Sequence, residues 1–515
     1  MSKIAQISLL FLLIFSTKIT QAQNPVALGQ RGLDEWVRNL QLLDKIDANQ
    51  SLTNRPFYST QSQGLNDFIK LIDTTNPYQL SKGQFKSLRW QVLPLELSQK
   101  LNTTRPYGWN DQGLGFSKGY QAQLRTGVYA QWKILHAQYQ PELVHYASGP
   151  FPKKTKLLPG QSFVGIRAAG FALGISSENL WWGPGRYSSL LMSNNARGFE
   201  HVRLNTMRPI NIGIGKLEFA LVLGRMTRDT SEGFENSSLQ KRTFDYSQPS
   251  TRQYNGLNIV FQPRFMKHIF FGATRAFQNY EITKPNASFA QNHLPVLNGL
   301  FKNNYADDTL SKDQILSLYT RWVFPKNHAE VYFEYGYNDA KQNGRDLMLN
   351  MSHAGAYTFG FKKLHYLNTA SFLALGAEAT RMSQTPSYIQ RTAGNWYEHG
   401  QVFEGFTNQN QLLGAGSGMG NDLQTITLAW HNGFKNIGIK FQHIANDPMQ
   451  SAGENAANLR NTKWDDYVFG LSGGYRYKQF IFSANLEYVK AKNYNWVNSN
   501  QQGNVYAFLN TLFIW

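Results

Sequence analysis

The densest chemistry in the 515-residue chain lies in one short segment, WWGPGRYSSLLMSNNARGF, at positions 181–199. Trp181, Trp182 and Tyr187 offer flat rings of the kind that stack on the apolar C–H faces of sugars. Asn194 and Asn195 offer amides for paired hydroxyls, and Arg186 and Arg197 offer forks for a uronate or phosphate. The same residues also fit a plainer role, with both tryptophans in a membrane-interface belt and Arg186 bonding a turn carbonyl. Gly183-Pro184-Gly185 forces a turn, because proline fixes φ and the flanking glycines accept positive φ. Upstream, Val164, Ile166 and Ala168 hold one face while Phe171, Leu173 and Ile175 hold the other, which predicts a bulge at Gly170; strand pattern resumes at Val202 and Leu204, with Arg203 on the opposite face.

The frame around this segment is patterned with period two from about Phe85 onward. In HAEVYFEYGY, Val331, Phe333 and Tyr335 face one way and Glu330, Tyr332 and Glu334 the other; KLEFALVLG and FIFSANLEY repeat the alternation at 216–224 and 480–488. Short connections (325–327, 432–435, 477–479) alternate with long polar ones (227–254, 281–313, 384–421, 446–465), the arrangement of an outer-membrane barrel rather than a soluble sandwich. The final strand, NVYAFLNTLFIW, carries no charge and ends on Trp515; a soluble domain would leave it as an aggregating edge, whereas in a barrel it pairs with the first strand. The alternating segments predict an all-β transmembrane antiparallel barrel of about 18 strands (16–18), too wide to fill its interior with its own strand side chains.

Before the barrel, Leu33, Trp36, Val37, Leu40, Leu43 and Ile46 fall on one helical face, and Leu65, Phe68, Ile69 and Ile72 on another. Asp34 and Glu35 suit the positive end of the first helix. The first residues, a basic Lys3, an apolar run from Ile7 to Phe15 and Thr20-Gln21-Ala22, read as a secretory signal peptide cut after Ala22. The predicted organisation is signal peptide 1–22, periplasmic helical region and plug 23–84, and outer-membrane barrel 85–515.

Aromatic residues make up 14% of the chain and charged residues 16%, with a mean hydropathy of −0.43, which excludes both a disordered chain and a helical membrane protein. With no cysteines in an exported chain, stability comes from packing and closed hydrogen-bond ladders. The net charge is +18, or +16 once Lys3 and Lys18 leave with the signal. That excess favours an anionic polysaccharide or lipid A phosphates of lipopolysaccharide as partner; nucleic acid is not expected after export.

The chain resembles the capsule assembly family called Wzi, in the branch common in Bacteroidetes. The resemblance is carried by WWGPGRYSSLLMSNNARGF, by RPYGWNDQGLGFSKGYQAQLRTGVYAQ at 105–131, by LPLEL at 93–97 and by the barrel running to Trp515. It implies a helical region followed by an eighteen-stranded outer-membrane barrel that acts as a lectin for capsular or other surface polysaccharide, with no enzymatic role and no cofactor or metal. Gln121, Gln123 and Arg125 would line a polar lumen. The binding residues expected are Trp181, Trp182, Arg186, Tyr187, Asn194, Asn195, Arg197, Arg203 and Arg125, and the further partners are outer-membrane lipids and the barrel insertion machinery. The alternative is a porin or solute channel; a barrel enzyme acting on lipid or glycan is a third reading.

Other motifs carry less. Gly470-Leu471-Ser472-Gly473-Gly474 has nucleophile-elbow spacing but lies within a strand with no helix after it. GAGSGMG at 414–420 reads as a flexible surface loop, and the eleven histidines lack metal-ligand spacing. His443 stands near Asp447 in a turn-forming Asn-Asp-Pro.

Overall fold

The computed structural model describes residues 33–57, 65–75, 78, 81–146, 154–228, 251–280, 294, 296, 313–338, 354–383, 396–399, 402, 404–446 and 462–515. The signal-peptide segment, Asp447 and most of the long connections lie outside the described residues.

Eighteen antiparallel wall strands form one ladder among the described residues, joined by two short strands, Lys82–Phe85 on Leu88–Val92 and Ile210–Asn211 on Lys216–Leu217. Four are interrupted: β1 (Leu88–Val92 continued by Leu95–Asn102), β2 (Gly119–Arg125 and Val128–Trp132), β3 (Leu135–Tyr139 and Glu142–Tyr146) and β4 (Lys154–Leu158 and Phe163–Ala168). Pro94, Pro141 and Pro159 sit at three of these breaks, where a missing N–H cannot serve the ladder. The rest are β5 (Phe171–Ser176), β6 (His201–Thr206), β7 (Gly215–Thr227), β8 (Thr251–Pro263), β9 (Ile269–Tyr280), β10 (Asp313–Phe324), β11 (Ala329–Asn338), β12 (Gly355–Tyr366), β13 (Ser371–Arg381), β14 (Asp422–Asn432), β15 (Lys435–Asn446), β16 (Trp464–Tyr477), β17 (Phe480–Lys492) and β18 (Gln502–Phe513). Each pairs with the next, and β18 returns to β1 in register from Tyr506 opposite Asn102 to Phe513 opposite Leu95. Trp515 Nε1 donates to Leu93 O at 2.9 Å, tying the last residue to the first strand.

The period-two pattern sorts the wall as the sequence predicts. On β11 Glu330, Tyr332 and Glu334 are buried inward while Val331 and Phe333 are exposed outward; on β7 Glu218, Ala220 and Val222 point in. One local expectation is corrected. The parity change at Gly170 is not a bulge but a hairpin: Ala168 pairs with Phe171, and Ala169 and Gly170 form a two-residue turn with φ of +53° and +88°. Two consecutive positive φ values reverse the chain with the twist that antiparallel strands need.

The interior is filled from both ends. Helices α1 (Asp34–Leu42) and α2 (Leu65–Ile72) set Leu33, Trp36, Leu40, Phe68 and Ile72 against Phe270, Val323, Leu364, Phe372, Phe434 and Ile514. All six wall residues lie near short turns, so the helices occupy the short-turn mouth. Burying each large apolar side chain there contributes about 1.5–3 kcal/mol. His328 Nδ1 also donates to Leu42 O at 2.8 Å, and Arg476 pairs with Asp73 at 3.0 Å. No helix among the described residues is long and apolar enough to cross a membrane.

From the opposite end, residues 103–118 bring Tyr107 and Leu114 against Val144, Val468 and Tyr506. The 177–200 segment and residues 396–399, 402 and 404–419 together cover the inner faces of β7–β12. GAGSGMG is therefore not a flexible surface loop. Ala415 and Met419 are fully buried, and a Cβ on Gly414 would stand 2.3 Å from the Tyr397 hydroxyl, so the glycine permits close packing.

Candidate functional site: the lumenal insert

Trp181 and Trp182 form a short strand paired with Asn54 and Arg55, in register Arg55 to Trp181 and Asn54 to Trp182. The turn that follows lies against the wall so closely that side chains are excluded. A Cβ on Gly185 would fall 1.7 Å from Ser188 O, and Gly183 has φ +132° with Glu334 Oε2 only 3.1 Å from where its Cβ would be.

Beyond the turn, successive backbone N–H groups have no helix or sheet to serve, and a wall carboxylate takes them instead. Glu378 on β13 accepts from Arg186 N at 2.6 Å, Tyr187 N at 3.1 Å and Ser188 N at 2.8 Å, and from the Tyr332 hydroxyl at 2.8 Å. Glu334 on β11 accepts from Leu190 N at 3.3 Å and Ser317 Oγ at 2.8 Å. Helix α1 holds the other side of the turn: Arg38 donates to Pro184 O at 2.8 Å and pairs with Glu330 at 2.9 Å, while Glu35 bridges Arg186 and Lys362.

Burial raises the Glu35 carboxyl, but the Arg186 guanidinium and the Lys362 ammonium outweigh it and hold the group well below its ordinary range. Burial depresses the Arg186 guanidinium, yet Glu35 carries it well above its usual value. Burial raises the Tyr187 phenol. Glu35 thus meets its first turn's dipole only incidentally; its partners are the insert and the wall.

The structure divides the residues expected to bind. Trp181, Arg186, Tyr187 and Asn194 line one internal cavity of about 420 Å³. Its charged lining is Arg38, Arg55, Arg186, Lys362 and Lys440 against Glu35 and Glu487, five cations to two carboxylates. Glu35 is enclosed by the barrel, yet 45% of its side chain is accessible because it faces this space.

The others are absorbed by the fold. Trp182 is fully buried over Gly256, where a Cβ would stand 2.6 Å from its ring. Asn195 donates to Leu412 O at 2.9 Å, and Arg197 to Gly113 O at 2.9 Å and Gln409 Oε1 at 3.0 Å. Arg203 pairs with Glu178 at 2.8 Å, and Arg125 with Glu96 and, at 3.3 Å, Glu142. Gln121 and Gln123 face inward as expected but are buried, bonding Ser117 Oγ at 3.0 Å and Glu142 at 3.0 Å.

Sequence reasoning missed Glu35, Arg55, Asn110 and Lys362 as cavity residues. Only Asn110 had a signal, its place in RPYGWNDQG; the other three lie in stretches with no motif. A larger hollow of about 760 Å³ lies on the outward face of the wall beside exposed Leu471, Leu486 and Leu509.

The family model for capsule assembly protein Wzi matches residues 96–505. The chain belongs to the Wzi family. Its structure is similar, at TM-score 0.64 and 12% identity over 96% of this chain and 100% of the other, to Wzi of Escherichia coli, described as an outer membrane protein involved in group 1 capsule assembly and a carbohydrate-binding β-barrel. A more distant likeness is to the outer membrane protein OprD of Pseudomonas aeruginosa, at TM-score 0.40 and 8% identity over 85% and 96% of the two chains. No curated protein matches the chain by sequence. The fold is therefore that of a Wzi-type outer-membrane barrel, and the insert and helices described above occupy its lumen.

Proposed function

We propose that this Wzi-family barrel is a non-catalytic lectin of a Gram-negative outer membrane that binds and retains capsular or other surface polysaccharide during capsule assembly. The observation that carries the reading is the occupied lumen: helices fill the short-turn mouth, and the insert and residues 396–399, 402 and 404–419 fill the other half. A wide barrel built to conduct would keep that space for water. The carbohydrate binding described for Escherichia coli Wzi supports the same reading.

In this account the signal peptide is removed, the helices and short turns face the periplasm, and the long connections face outward. Outer-membrane lipids and lipopolysaccharide surround the wall, and the insertion machinery assembles it. Refolded protein is expected to bind the matched native surface polysaccharide, and a deletion strain to shed it. A large steady conductance of the full-length protein in planar bilayers, with no polysaccharide binding, would replace this reading with that of a porin.

A further inference from the structure

The 420 Å³ cavity holds polar atoms that the fold leaves without partners. Among the described residues, Trp181 Nε1, Arg186 Nε, His431 Nδ1, Asn110 Oδ1 and Asn194 Oδ1 are buried and make no hydrogen bond, and all five residues line this space. The remaining polar atoms of two of them are committed to holding the site's shape: Asn110 Nδ2 donates to Tyr187 O at 2.8 Å, and Arg186 reaches Glu35 through its terminal nitrogen. Buried polar atoms are normally paired, and leaving one unpaired costs folding free energy, so five around one cavity point to a polar occupant.

Two of the atoms donate, two accept, and the His431 ring nitrogen can do either. A sugar hydroxyl does both, so a ring bearing several hydroxyls can serve such a set with one rigid ligand. The volume is within the range of about 300–1,000 Å³ for small-molecule sites. The lining carries five cations to two carboxylates, an excess that favours an anionic ligand. The lining also reaches Asn436, beside the short turn between β14 and β15.

We propose that this cavity is a subsite for a carboxylated sugar, a uronic-acid residue of an acidic glycan. Trp181 and Arg186 donate to it, and Asn110 and Asn194 accept from it. The proposal rests on the glycan-binding reading above and locates one part of it.

Titration calorimetry of the full-length protein in detergent, with a galacturonic-acid disaccharide and the matched neutral galactose disaccharide, tests it. The acidic disaccharide is expected to bind at least about tenfold tighter than the neutral one, and Trp181→Phe and Asn194→Ala each to weaken it about tenfold, the equivalent of one lost hydrogen bond. Both variants are expected to keep the heat-modifiable gel mobility of the folded barrel. If wild type ignores the acidic disaccharide, prefers the neutral one, or is matched by both variants while native polysaccharide still binds, the subsite is wrong and the lectin reading stands. If native polysaccharide fails to bind wild type as well, the lectin reading falls with it.

Discussion

Helix α1 and the 181–199 insert occupy the same lumen but are attached to it by different physics. The helix meets the wall through Leu33, Trp36 and Leu40, an apolar face with its own internal hydrogen bonds, and adds Arg38 and Glu35 at its edge. The insert has no regular structure beyond Trp181–Trp182, so its backbone N–H groups need partners, and Glu378 and Glu334 supply them. An apolar face tolerates substitution of comparable volume. A carboxylate serving three buried N–H groups does not, because removing it strands all of them at once.

The two attachments separate most clearly when both are removed. Deleting residues 34–73 takes away the helices, and Glu378→Ala releases the insert; each change alone leaves the other of these two occupants in place. Planar-bilayer conductance of the combination is expected to exceed the sum of the two single changes, and simple additivity would show that they do not obstruct one path.

Glu378→Ala alone strands the N–H groups of Arg186, Tyr187 and Ser188, at about 1–3 kcal/mol each, so a loss of several kcal/mol is expected in the midpoint of heat-modifiable mobility. A shift near zero would mean that the insert is held elsewhere. Trp182→Ala comes next, with a loss of about 3–5 kcal/mol from the emptied site over Gly256. Trp182 does not line the cavity, so that variant, refolded at low temperature, is expected to bind polysaccharide like wild type; selective loss of binding with full stability would reverse the two tryptophans' roles.

The smallest effect belongs to Glu35→Gln, since the side chain is 45% accessible and screening discounts its ion pairs. Glu35 titrates at its ordinary value near 4.5 in the unfolded chain and well below that when folded. Its contribution is therefore complete above about 4.5 and is lost as pH falls through the lower folded value. The glutamine variant is expected to show a shallower acid limb in the stability profile, and identical limbs would remove Glu35 as a latch between helix and insert.

Much of the fold was legible because its causes are local. The alternation in HAEVYFEYGY specifies an inward and an outward face whatever lies inside, and turns such as Pro325–Asn327 are short because nothing separates the strands they join. Where local signals were ambiguous, the reading failed. Ala169 gave no sign that it would take positive φ, so a hairpin read as a bulge, and the glycines of GAGSGMG permit either flexibility or close approach. Only part of the basic excess is free to meet a ligand. Arg38, Arg105, Arg125, Arg203 and Arg321 are buried in internal ion pairs, so much of the charge serves the fold before any ligand.

By itself the sequence determined a helical entry, a period-two wall closing on an uncharged last strand, and a segment too unusual to be wall. Tertiary structure alone decided which of that segment's residues face open space. Trp181 and Trp182 are adjacent and chemically identical, yet one lines a cavity beside Arg55 and the other is sealed over Gly256. The physical reason is separation along the chain: the groups that make this choice, Glu35, Asn110, Lys362 and Glu378, come from four distant elements and meet only when the barrel closes around them.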